Sequence, residues 1–130
     1  MKLNFLLGFL FFYSFSFSQN KFRVDYNNVS FYDFSTDTWS DWKEGDNTFI
    51  ININDRGDIA HLKANGETVI YRKLSGAEER YAGENNNYHF QIIDAFDEEG
   101  NVFKFQLFDD TSIGLKMIWD NVIIQFAKSN

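Results

Sequence analysis

Two tryptophans three residues apart, Trp39 and Trp42, stand among five acidic side chains: Asp33, Asp37, Asp41, Glu44 and Asp46. Indole rings beside carboxylates suit stacking on, and hydrogen bonding to, a sugar or another flat ligand. Ser35, Thr36 or Asp37 could cap one helical turn, which would place both rings on one face at i, i+3. The alternative is a loop carrying two large aromatics. Trp39, Trp42, Asp41 and Glu44 are therefore the candidate ligand-binding residues. A competing expectation is preferred: the two rings plug the open end of a small barrel, because eight strands enclose just enough space for side chains. The five acids also offer oxygens of the kind calcium takes, but not at EF-hand spacing. A solvated acidic loop accounts for them.

The other chemistry-bearing residues form no recognised constellation. His61 and His89 have no metal ligand at a known spacing, and no HExxH pattern occurs. They are expected to be ordinary strand histidines, with no metal and no cofactor. Cysteine is absent, and no serine lies in a G-x-S-x-G elbow. Asp109-Asp110 could be half of a glycosidase-like carboxylate pair, but a turn explains it more simply. Arg56-Gly57-Asp58 spells the tripeptide that integrins recognise; three letters carry little information, and Gly57 is accounted for by its turn. The chain is expected not to be an enzyme.

Lys2 followed by an uncharged run from Leu3 to Phe17 reads as an export signal. Ser16-Phe17-Ser18 is a small-x-small cleavage pattern, so residues 1–18 are expected to be removed and Gln19 to lead the mature domain, 19–130. The apolar run is short of the ~20 residues a membrane span needs. A secreted or periplasmic location follows, with no membrane attachment after cleavage. Losing Lys2 takes the formal charge from −7 by one, to −8. So acidic a surface disfavours nucleic acid and anionic membranes, and leaves a small ligand or a cationic protein as the partner. Without disulfides the core must suffice by itself, and the phenylalanines among the 19% of aromatic residues can supply it.

The elements that must position these residues are strands. Tyr88–Phe96, Val102–Phe108, Ile113–Trp119 and Val122–Lys128 are joined by Glu98-Glu99-Gly100, Asp109-Asp110 and Asp120-Asn121. Turns this tight leave no room for crossover helices, so neighbours are antiparallel. Glu98-Glu99-Gly100 fits a type I turn with a G1 bulge, which pairs Ala95 with Phe103, Ile93 with Phe105 and Asp94 with Lys104. The last hairpin pairs Met117 with Ile124 and Leu115 with Phe126. Upstream, Phe22, Val24 and Tyr26 alternate with polar residues until Asn27-Asn28, where a bulge or turn is expected. Thr48–Asn54 is a further strand, and Asp33 to Asn47 is the least strand-like segment. Ile59–Ala64 and Glu67–Leu74 form a hairpin about Asn65-Gly66, taken as a two-residue type I′ turn. That register pairs Leu62 with Val69 and Ala60 with Tyr71 on the core face, and sends His61 outward. Ser75 to Asn87 is a polar connection.

About eight strands in simple succession predict an all-β, antiparallel up-and-down meander closed, or nearly closed, into a small barrel. A two-sheet β-sandwich is the alternative. Acidity, size, export and Ser75-Gly76-Ala77 followed by Tyr81 resemble the small exported barrels that inhibit lysozymes, and the architecture is similar to calycin-type barrels. The resemblance implies an interaction module acting on a cationic enzyme. Those inhibitors generally carry a disulfide, which this chain lacks, and no functional residue is carried over. The expected function is binding without catalysis, in one of two forms: a pocket binder for a small apolar or saccharide ligand, or a protein-interaction module such as an inhibitor of a cationic secreted enzyme. A cavity lined by apolar side chains would favour the first, and a filled interior with an acidic patch the second.

Overall fold

A computed structural model describes Asn20–Ser129; the expected signal segment, 1–18, and its cleavage point lie outside those residues. Ten strands form one antiparallel sheet: β1 Phe22–Asp33, β2 Thr38–Trp39, β3 Lys43–Ile51, β4 Ile59–Leu62, β5 Thr68–Lys73, β6 Glu78–Ala82, β7 Tyr88–Phe96, β8 Val102–Phe108, β9 Leu115–Ile118 and β10 Val122–Ala127. Eight of them close a barrel in the order β1-β3-β4-β5-β7-β8-β9-β10, and β10 returns to β1. The architecture is the closed barrel, not the sandwich. β2 and β6 lie off the ring, each extending a hairpin that β1 or β7 shares with the barrel.

Alternation along each strand decides which side chains enter. Phe49, Phe103, Phe105, Ile59, Leu115 and Met117 are fully buried, and each contributes about 1.5–3 kcal/mol by leaving water. Ring edges meet ring faces: Phe49 on Phe126 at 5.0 Å and Phe103 on Phe105 at 4.8 Å. Most of the interior is therefore filled.

The β7–β8 and β9–β10 registers are the ones the turns predict. Ala95 faces Phe103, Ile93 faces Phe105 and Met117 faces Ile124. Outside, Lys104 Nζ meets Asp94 Oδ1 at 2.7 Å. Asn27-Asn28 is a bulge, where the β1–β3 pairing slips by one residue. The two asparagines also hold the seam shut. Asn27 Oδ1 accepts the Ser129 backbone N–H at 2.9 Å, and Asn28 Nδ2 donates to Ser129 Oγ at 2.6 Å.

Three expectations are corrected. The β4–β5 turn is a three-residue loop, Ala64-Asn65-Gly66, with Gly66 N–H bonded to Lys63 O and Lys63 N–H to Glu67 O. Gly66 has positive φ and Asn65 does not, so this is a type I turn with a G1 bulge. The pairing is Ile59 with Tyr71 and His61 with Val69. One residue of slip exchanges the faces of β4: His61 points inward and Leu62 is exposed. Second, Asp33 to Asn47 is largely strand, because β2 and the start of β3 continue the ladder along β1. Third, the connection from Ser75 to Asn87 contains β6 and a single 3-10 turn, Glu84–Asn86.

Candidate functional site

Trp39 and Trp42 do not plug the barrel. No helical turn forms; Trp39 pairs with Tyr32 in the β1–β2 ladder, and the chain bulges at Asp41 and Trp42 before rejoining β1 at Lys43. Both rings lie on the outer wall, 43% and 51% exposed. Trp39 packs against Tyr32, with centroids 5.1 Å apart, and Lys116 Nζ sits 5.9 Å over it. Burial lowers the Lys116 pKa. Trp42 borders a separate hollow with Asn28, Ala127 and Lys128. Asp41 and Glu44 are exposed, and Glu44 borders a further hollow beside Asn27. The four candidates thus share one outer wall without converging on one cavity. Replacing either tryptophan with alanine should cost at most about 1–2 kcal/mol, from one aromatic or cation–π contact. Urea melts check this; a loss above about 3 kcal/mol, as for a core phenylalanine, would mean the rings are buried.

The residues that do converge were not among the candidates. His61, only 4% exposed, lies inside the barrel, its ring stacked on Phe49 at 4.2 Å and edge-on to Phe126 at 5.3 Å. Its Nε2 is 2.9 Å from Asn47 Oδ1, and its Nδ1 is 3.4 Å from the Tyr71 hydroxyl. Asn47 turns its amide nitrogen to Gly45 O, so its oxygen faces the imidazole. His61 therefore carries its proton on Nε2 and accepts from Tyr71 at Nδ1. Burial, with help from the charge on Lys63, pushes its pKa down to about 4. Burial likewise pushes Tyr71 up to about 12, assisted by Glu98 and Asp97. Tyr26, also deep in the barrel, has a buried hydroxyl with no partner among the described residues.

His61 and Tyr71 form the floor of a depression of about 280 Å³ at one end of the barrel. Met117, Ile124, Phe126 and Trp119 make its apolar walls, and Lys63, Asp97, Glu98 and Glu99 its rim. The β7–β8 turn builds most of the rim. Asp97 Oδ1 accepts the backbone N–H groups of Glu99 at 2.9 Å and Asn101 at 2.8 Å, and its Oδ2 accepts the Trp119 indole N–H at 3.0 Å. Desolvation opposes the Asp97 charge, but these hydrogen bonds outweigh it and hold the carboxyl below its ordinary pKa. Trp119 in turn stacks on Phe103 at 4.5 Å, so the wall is rigidly backed. A larger hollow of about 740 Å³ lies between the β7–β8 and β9–β10 turns. It has no buried titratable side chain on its surface.

Arg56-Gly57-Asp58 cannot be displayed as a tripeptide, since Asp58 is 1% exposed. Its carboxylate accepts from Asn54 Nδ2 at 2.9 Å and the Lys73 backbone N–H at 3.0 Å. His89 lies on the outside, where its Nδ1 meets Asp109 Oδ2 at 2.5 Å. Ser75 Oγ bonds Asp94 on the wall, and Tyr81 of β6 lies against His89 of β7. No protein-family model, curated protein or solved structure matches the chain.

Proposed function

We propose that this chain is an exported, non-enzymatic binding protein that takes a small ligand at the barrel mouth. The observation that carries the reading is the depression floored by His61 and Tyr71. An apolar pocket with a few convergent polar groups of displaced pKa is the arrangement ligand sites share. Binding rather than catalysis is supported by the state of His61. Both its ring nitrogens are committed, to Asn47 and Tyr71, and neither meets a carboxylate that would make the imidazole a stronger base. The filled interior and acidic rim favour a second reading, an interaction module for a cationic secreted enzyme.

Amide ¹H–¹⁵N spectra titrated with benzyl alcohol, phenol and indole test the first reading. Shifts are expected to cluster on Tyr71, Glu98, Glu99 and Trp119, and to weaken in Trp119→Ala. Shifts centred on Trp39 and Trp42 instead would move the site to the outer wall and overturn the assignment.

A further inference from the structure

Resting on that reading of the mouth, we infer that the site is built for a small organic cation, an ammonium or guanidinium carried on a short apolar body. The proton inventory points this way. His61 spends its one N–H on Asn47, and Tyr71 spends its O–H on His61. Trp119 spends its indole N–H on Asp97. Of the polar side chains lining the depression, what remains toward a ligand is acceptors: the Tyr71 oxygen and the carboxylates of Asp97, Glu98 and Glu99. The exception is Lys63, whose ammonium lies 3.8 Å from Glu67 Oε2 and is one cation against three rim carboxylates.

The carboxylates differ in how far they are committed. Asp97 is saturated by the turn it builds. Glu98 and Glu99 make no side-chain hydrogen bond or ion pair among the described residues, and each leaves a charge to be matched. Glu98 is exposed at the rim of the depression, and its charge acts on the Tyr71 hydroxyl at the floor. The walls supply the second half of cation recognition. Trp119, Phe126 and Tyr71 are aromatic, and ring faces attract ammonium and guanidinium groups once water is displaced. A volume of about 280 Å³ suits a compact ligand with one ring or a short alkyl body. A neutral or anionic molecule of the same shape would meet unmatched or repelling carboxylates, so charge sets specificity here.

Benzylamine, benzyl alcohol and benzoate have one shape and three charges. Titrated separately into the mature chain and followed by ¹H–¹⁵N shifts at Tyr71, Glu98 and Trp119, benzylamine should bind about tenfold tighter than benzyl alcohol, and benzoate weakest. Added salt should weaken benzylamine alone. The double variant Glu98→Gln with Glu99→Gln should lose about that tenfold for benzylamine and keep its affinity for benzyl alcohol; both side chains are exposed, so folding is unaffected. Equal binding of benzyl alcohol and benzylamine would overturn the cation inference while leaving the mouth as the site. Absence of shifts from all three would overturn both. Nα-acetyl-lysinamide separates the two sources of this chemistry. Displacement of benzylamine at similar concentration supports a basic side chain presented by a protein; failure to displace supports a free amine.

Discussion

Gly114→Ala should leave little folded protein. Gly114 has φ +83°, a conformation L residues avoid, and a Cβ there would sit 1.8 Å from the Phe126 carbonyl oxygen and 2.9 Å from Ala127 Cα. The obstructing atoms are backbone of β10, so no rotamer relieves them. Relief requires separating β10 from the segment that enters β9, where Gly114 O accepts the Phe108 N–H at 2.9 Å. β10 is also the strand that closes the barrel onto β1. Conformational strain alone costs about 1–3 kcal/mol, and the steric conflict should carry the total beyond about 4 kcal/mol, a large share of a small domain's stability. Gly66→Ala is the internal control. Its φ is +91°, yet nothing lies within 4 Å of the added carbon, so the conformational cost stands alone. Urea melts of the two variants separate the effects; equal midpoints would show that β10 yields easily at Phe126.

The second large effect is a pH dependence written by His61. In the folded barrel its pKa is about 4 against an ordinary 6.5. Between those values the unfolded chain binds a proton that the folded chain refuses. Its contribution is therefore complete above about pH 6.5 and declines as pH falls toward 4, by about 1.4 kcal/mol per unit, for a total of roughly 3 kcal/mol. Other groups titrate in this range too, so the informative quantity is a difference. His61→Gln keeps a donor for Asn47 and cannot charge. Parent and variant melts should converge in slope above pH 6.5 and diverge below it, the parent losing more. Parallel curves would mean that the imidazole is protonated inside the barrel.

How legible these features are in the sequence depends on turn chemistry. The β7–β8 register follows residue by residue from Glu98-Glu99-Gly100, because Asp94 on β7 and Lys104 and Gln106 on β8 mark the outer face and reject a slip of one residue. Ala64-Asn65-Gly66 makes the same turn, with the same two backbone hydrogen bonds across it. Here the neighbouring Asn65-Gly66 pair suggests a two-residue loop, and β4 offers no veto, since Ile59, Ala60 and Leu62 are apolar on both faces. One signal does favour the true register: it sets Ile59 opposite Tyr71, two large side chains that are both buried. The mouth was hidden with it, because an outward His61 leaves Tyr71, Trp119 and the β7–β8 turn unconnected. Trp39 and Trp42 misled for a different reason. Their i, i+3 spacing matters only on a helix, and the long ladder along β1 overrides it.

The clasp between Asn27 and Ser129 joins positions 102 residues apart, and this separation orders events in time. Hairpins such as β4–β5 and β7–β8 need only local searches and form within microseconds. β1 and β10 are the described strands furthest apart in the chain, and non-local pairing of this kind is slow. Until they pair, both strands present unpaired edges, the geometry through which one chain recruits another. The waiting time for that one seam sets how long each molecule is open to misassembly. Weakening the asparagine clasp would thus show first in the yield of monomer at high concentration, before any change in the melting midpoint.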